Sequence, residues 1–423
     1  MSAAAVDAEV PRGRTVGLFL LLGGLAVTVA PGSQQWVVLA GFSVAFALGV
    51  PLALADSPRR SRRALPIAVA VVAVASGWAA WARATSDLPE RDRAHDGGVI
   101  VTRAAADEIR HLRNPYTTDF GPVLPSTWRL VEGFDGELVP NPVRHHFPYL
   151  PAAALVHVPF VAAAEAAGSQ WDPRILGWMT LVGAVALIAR RPETAWARTA
   201  AVLGLGSAFT LVYLSWGTND TFAAALAVGA LAVADKTPRW SGVMLAVAVS
   251  AKLLLAVLIP PLLVVIWTTG GYRSLRRWWT FPATLAATIV PFLVLDPAAF
   301  MDDTVWFNLG RSEPRMPTSG LGIPAFAPGF TGVPLFVVTL TGLVLALVLP
   351  VAVTRRRPSV WMAGATAGFA LLAVLLPART FQVNYLVLVA ALVPLGFLSI
   401  GSTDTAGVES VPTSVEPSLE SGP

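Results

Sequence analysis

Polar groups that could do chemistry are few in this chain, and they fall in five places. The first is His95-Asp96-Gly97-Gly98, followed by a stretch in which Val99, Arg103 and Asp107 share one helical face and Ile100, Ala104 and Glu108 another. This pattern predicts a short amphipathic helix with Asp96 near its start, where capping and the helix dipole already favour a carboxylate. The second place is His145-His146, within the segment Asn141-Pro-Val-Arg-His-His-Phe-Pro-Tyr-Leu-Pro151. Two adjacent imidazoles suit acid–base work, hydrogen bonding to a phosphate, or interfacial packing. A shared metal ion is disfavoured, because neighbouring positions rarely aim at one ion and no cysteine adds a ligand. Third, Asn219 and Asp220 open an apolar run, where both are good helix caps. Fourth, Lys252 is the lysine that lies inside an apolar run. Such a residue is a functional candidate unless its stem snorkels to the interface. The fifth place gathers Arg311, Arg315 and Arg379 with Asn384 and Tyr385 near the last apolar run.

The elements that must position these groups are apolar. The chain has 423 residues, of which 55% are hydrophobic and 13% charged, with a mean hydropathy of +0.63. Soluble domains carry about twice that share of charge. Apolar runs of roughly 16–22 residues recur from Val16 to Ile400, each long enough to cross a ~30 Å hydrocarbon core as a helix. The fold class expected is therefore all-α, a polytopic membrane protein. A transmembrane barrel would alternate apolar and polar residues, which these runs do not. With no cysteine there are no disulfides, iron–sulfur clusters or thiolate metal sites. The net charge of +4 comes with basic residues in short gaps between apolar runs, as membrane orientation requires, so membrane lipids and not nucleic acid are the expected surroundings.

The arginines set a topology. Arg12/Arg14, Arg59/Arg60/Arg62/Arg63, Arg190/Arg191/Arg198, Lys236/Arg239, Arg273/Arg276/Arg277 and Arg355/Arg356/Arg357 all fall in short polar gaps. Placing all six on the cytoplasmic side gives a cytoplasmic N-terminus over 1–14 and a membrane domain over 15–400. Spans then run near 15–31, 36–55, 65–83, 174–189, 197–215, 219–235, 240–254, 255–269, 279–296, 332–353, 359–376 and 381–400, about twelve in all. The first run also reads as a signal sequence, although the following span and its Arg-rich gap favour an uncleaved hairpin. Residues 84–147 and 297–331 become extracytoplasmic loops. The stretch 149–168, with Pro151, His157, Pro159 and Glu165, is expected to re-enter or lie at the outer interface. The tail 401–423 is rich in Ser, Thr, Pro and Glu and is expected to be disordered and cytoplasmic.

Several motifs share an order and a side. Asp96 precedes Asn114-Pro-Tyr116 by about 18 residues, and Phe147-Pro-Tyr-Leu-Pro151 follows. Next come Trp216-Gly-Thr-Asn-Asp220, the segment from Gly242 to Lys252, and Asn384-Tyr385. This series resembles the C-type superfamily of membrane glycosyltransferases, which use polyprenyl-phosphate sugars, and is closest to the bacterial polyprenol-phosphate-mannose-dependent mannosyltransferases. Phe-Pro-Tyr stands where that branch commonly has Tyr-Pro-Pro, and two spans precede the family's usual first one.

The resemblance implies a hexosyltransferase of the cell membrane, mannose being the expected sugar. Its partners would be a polyprenyl-phosphate sugar donor and an envelope glycolipid or polysaccharide acceptor at the outer face. It places the general base on Asp96, with Asp87, Asp92, Asp107 and Glu108 as other carboxylates of the same loop. Lys252, Arg311, Arg315 and Arg379 would serve the donor phosphate, since Arg binds it bidentately and Lys as a point charge. His145, His146, Asn219, Asp220, Asn384 and Tyr385 would serve the sugar or acceptor. No cofactor is implied and no metal ligands are assigned. The alternative is a multi-span transporter or lipid-carrier flippase, for which the internal repeats usual in transporters are not evident.

Overall fold

A computed structural model describes residues 58–89, 93–132, 137–327 and 332–401. The expected runs at 15–31 and 36–55, the N-terminal 1–14, the tail from 402 onward and Asp92 lie outside the described residues. The described chain is mostly helical, with two small two-stranded sheets. Four of its helices are long and apolar enough to cross a membrane: Arg59–Ala84, Ala195–Trp216, Leu253–Arg277 and Pro334–Arg356. The protein is thus a membrane protein. Six further apolar helices are shorter. One of 16 residues, Arg174–Ala189, rises only about 24 Å.

Two of the runs are interrupted for local reasons. The long run Ala195–Trp216 is interrupted at Gly206-Ser207, where the Ser207 hydroxyl accepts the Thr210 amide (3.2 Å) and starts a second helical segment. The last run is divided into four short helical pieces around Pro394, whose ring nitrogen has no proton for the helix ladder. Residues 149–168 form two short helices, Ala152–Leu155 and Val158–Ala166, interrupted at His157 and packed on the helix Thr102–Arg110.

The principal helices are α1 (Pro58–Ala84), α2 (Thr102–Arg110), α3 (Arg174–Ala189), α4 (Asn219–Val233), α5 (Pro238–Ala251), α6 (Thr280–Leu295), α7 (Gly332–Arg356) and α8 (Val360–Leu375). Helix α4 is the axis of the bundle. Nearly all of it is buried, and its Ala223, Ala224, Ala225, Ala227, Gly229 and Ala230 let α3 and α5 approach closely. Helix α7 is the opposite case. Phe336, Leu340, Val344, Leu347 and Val348 are exposed along it, an apolar surface that lipid, not water, would cover.

Contacts between helix ends divide the bundle into two poles. At one, Arg191 pairs with Asp235 (2.8 Å), Trp361 Nε1 donates to Glu193 (2.8 Å), and Thr280 Oγ1 donates to the Arg239 carbonyl (2.7 Å). These bonds join the C-terminal ends of α3 and α4 to each other, that of α3 to the N-terminal end of α8, and the N-terminal ends of α5 and α6 to each other. Arg190, Arg191, Arg198, Lys236 and Arg239 all sit at this pole. The other ends of the same helices carry Arg174, Asn219, Asp220, Lys252 and, past α8, Asn384.

Candidate functional site

Asp96 is placed by a backbone turn that two glycines make possible. Residues Asp96–Val101 form a wide helical turn that runs into α2. His95 anchors its start: its amide donates to the Trp216 carbonyl (2.8 Å), and its Nδ1 accepts the Gly98 amide (2.9 Å). An accepting Nδ1 leaves the proton on Nε2. Gly98 lies against the carbonyl of Gly217, which ends the helix Ala208–Trp216 in the left-handed conformation (φ 88°). A Cβ on Gly98 would stand 2.0 Å from that oxygen. Gly98→Ala is therefore expected to lower stability by about 1–3 kcal/mol through overpacking, read as a lower melting temperature in detergent. A wild-type melting curve would show that the two backbones can separate without cost.

The Asp96 carboxylate is 9% exposed and held at both oxygens. Oδ1 accepts the Gly97 amide (2.6 Å), and Oδ2 accepts Asn141 Nδ2 (2.9 Å). Asn141 is itself fixed, donating to the Trp128 carbonyl (2.9 Å) and accepting the Val143 amide (3.2 Å). The other carboxylates of the loop differ. Asp87 is exposed, Asp107 pairs with Arg110 (3.0 Å), and Glu108 with Arg113 (2.5 Å).

Lys252 follows the last residue of α5 in an extended conformation, where the chain turns back. Its Nζ lies 2.8 Å from Asp220 Oδ1, so the ammonium is paired inside the protein rather than snorkelling to the interface. Asn384 Nδ2 holds the second oxygen of Asp220 (2.5 Å), and the Tyr385 ring lies 4.4 Å from Nζ. Asp220 is 1% exposed and Lys252 8%. A pair this deep needs good geometry to offset desolvation.

Tyr149 joins the two groups. Its ring centroid is 5.7 Å from Lys252 Nζ, and its hydroxyl packs on Gly97, where a Cβ would meet it at 2.7 Å. Burial, then the charge of Asp96, raises the phenol well above its ordinary value, leaving it a protonated hydrogen-bond donor. Asn219 Nδ2 donates to Thr102 Oγ1 (3.2 Å), which donates to the Gly97 carbonyl (2.7 Å), linking α4 to the Asp96 turn. Arg174, 6% exposed, pairs with Asp172 and donates to the carbonyls of Arg93 and Ser215 (3.0 and 2.9 Å). It clamps the same two backbones together.

No protein family, curated protein or solved structure matches the chain.

Of the residues singled out by sequence, the structure gathers Asp96, Asp220, Lys252 and Tyr385 around Tyr149, with Asn384 bonded to Asp220 and Asn219 tied to the Asp96 turn through Thr102. The others lie apart from that group. His145 is exposed near Asp119 (3.8 Å). His146 is buried against Asp303, its Nδ1 2.6 Å from Oδ1. Arg315 is exposed and pairs with Glu313 (2.8 Å), whereas Arg311 lies over the Trp306 ring (5.7 Å). Arg379 donates to the carbonyls of Gly310 and Met316 (3.1 and 3.4 Å), fixing the late loop. Asn141, Arg174 and Asp303 carry no sequence signal of their own, and Tyr149 is marked only as part of the Phe147-Pro-Tyr-Leu-Pro151 motif. Asn141 and Tyr149 lie within the segment 141–151 around His145, but only the fold shows that they face Asp96 and Lys252.

Proposed function

We propose that this protein is a membrane glycosyltransferase that moves a hexose, mannose foremost, from a polyprenyl-phosphate donor to a glycolipid or polysaccharide acceptor at the outer face of the cell membrane. The observation that carries this reading is the arrangement about Tyr149: a fixed, nearly buried carboxylate on one side and a buried ammonium on the other. In the transfer, Asp96 accepts the proton of the acceptor hydroxyl as its oxygen attacks the anomeric carbon. The bond from that carbon to the phosphate oxygen breaks, and the phosphate leaves with the electron pair. Lys252 stabilises the negative charge there, with the Tyr149 phenol as a further donor. Asp220, itself held by Asn384, keeps the lysine in place.

In this reading the chain crosses the membrane about twelve times. The basic pole is cytoplasmic and the pole with Asp96 faces out. The cysteine-free sequence makes this testable at exposed sites. Thr117→Cys is expected to react with an impermeant maleimide in intact cells, and Thr237→Cys only after permeabilisation. The reverse pattern would overturn the orientation. The activity is tested with purified protein in detergent, a polyprenyl-phosphate hexose and an envelope glycolipid fraction. Labelled sugar is expected in the acceptor, and its absence with mannose and other hexose donors alike would reject the reading.

A further inference from the structure

A second group of ionisable side chains lies where the early loop meets the late one. His146 Nδ1 is 2.6 Å from Asp303 Oδ1 and 3.8 Å from Asp302 Oδ2. One ligand-type atom from each of the three residues lies within 4.8 Å of the other two. We propose that His146, Asp302 and Asp303 form a binding site for a divalent transition cation such as Mn²⁺ or Zn²⁺.

Geometry supports it first. Bonds of about 2.0–2.2 Å to nitrogen and carboxylate oxygen put neighbouring ligand atoms roughly 3.0–3.5 Å apart, between the two separations from His146. Small side-chain movements would therefore centre an ion, which would displace the proton shared by His146 and Asp303.

Charge supports it independently. Asp303 is 2% exposed and Asp302 is next to it, yet among the described residues no Lys or Arg comes within ion-pair distance of either. His146 pairs with the buried Asp303, and the half-exposed Asp302 beside it adds a second negative charge that a bound cation would offset.

The remaining features suit a metal site. Asp303 Oδ2 accepts the Phe147 amide (2.7 Å), and Ser312 Oγ donates to Asp302 Oδ1 (2.7 Å), so each carboxylate is oriented by an outer partner. The Asp302 side chain is 44% exposed, leaving a route in and room for water ligands. One nitrogen with two oxygens favours a transition ion over Mg²⁺ or Ca²⁺, which prefer oxygen alone. Asp96 and Lys252 take no part, so cation binding here is independent of whether the protein transfers sugar.

The test uses full-length protein in detergent, stripped with EDTA and dialysed, then titrated with MnCl₂ by electron paramagnetic resonance and with ZnCl₂ by calorimetry. Wild type is expected to bind one ion per chain. Asp302→Asn changes the half-exposed ligand and is expected to keep the fold, as melting temperature without metal would show. Its affinity should fall by at least roughly tenfold, and Ser312→Ala, which frees the ligand it orients, by about 10–100-fold. Failure of wild type to bind either ion stoichiometrically would overturn the proposal, leaving His146–Asp303 as a hydrogen-bonded tether between loops. Unchanged affinity in Asp302→Asn would overturn it equally.

Discussion

Asp96→Asn is expected to lower sugar transfer by about 10²–10⁴-fold, the contribution usual for a positioned general base. The substitution keeps size and shape but removes the proton acceptor. It also disturbs one hydrogen bond in a predictable way. The carboxylate receives two donors, Gly97 N and Asn141 Nδ2, whereas an amide offers one acceptor and one donor. Asn141 cannot turn over to suit it, because its oxygen already accepts the Val143 amide and its nitrogen donates to the Trp128 carbonyl. A stability loss of about 1–3 kcal/mol is expected from the mismatch. Transfer should therefore be measured below the variant's melting transition, so that lost chemistry is separated from lost fold. Asp87→Asn and Asp107→Asn are the matched controls. They remove charge from the same loop at an exposed side chain and at one paired with Arg110, and should remain within a few-fold of wild type. Near-wild-type transfer by Asp96→Asn, with loss in either control, would move the base to another carboxylate.

What the sequence makes legible is what local pattern controls. The face-sharing residues from Val99 to Glu108 become the turn Asp96–Val101 and the helix Thr102–Arg110. The apolar runs become helices whose short basic gaps at Arg190, Arg191, Arg198, Lys236 and Arg239 share one pole. The described runs keep roughly the bounds read from sequence, but their interruptions are not legible, because hydropathy continues through residues that break a helix. Ser207 starts a new helix inside 195–216, Lys252 is extended, and Pro394 removes a ladder donor. The pairing of side chains is not legible. Asp220 and Asn384 lie 164 positions apart, and His146 and Asp303 157 apart; no periodicity links such distances. Lys252 shows the consequence. Alone in an apolar run, it reads equally as a snorkelling residue or a functional one, and only the folded chain reveals the carboxylate at 2.8 Å. The Gly97-Gly98 pair is a similar case, since its reason is Tyr149 and the Gly217 carbonyl, neither of which is near in sequence.

The Lys252–Asp220 pair gives the second large effect, and its two roles can be separated. Lys252→Met leaves Asp220 buried with Asn384 as its remaining donor, and Asp220→Asn leaves the ammonium buried without its counter-ion. Removing one partner of a buried pair costs about 3–5 kcal/mol, so both single variants are expected to melt well below wild type. The double variant Lys252→Met with Asp220→Asn removes both charges and keeps the volume. It should recover most of that stability, as apolar or neutral replacements of buried pairs often do. Donor use should not recover with it. A hydrogen bond to a charged group is worth about 1.5–3 kcal/mol, so the double variant is expected to raise the donor KM by roughly 10–150-fold. Lys252→Arg keeps the charge in a bulkier, planar form and should fall between it and wild type. Stability that returns together with a wild-type donor KM would mean that the pair only holds α4 to α5. Stability that returns without donor use would assign the ammonium to the phosphate, with Asp220 as the group that keeps it in place until the donor arrives.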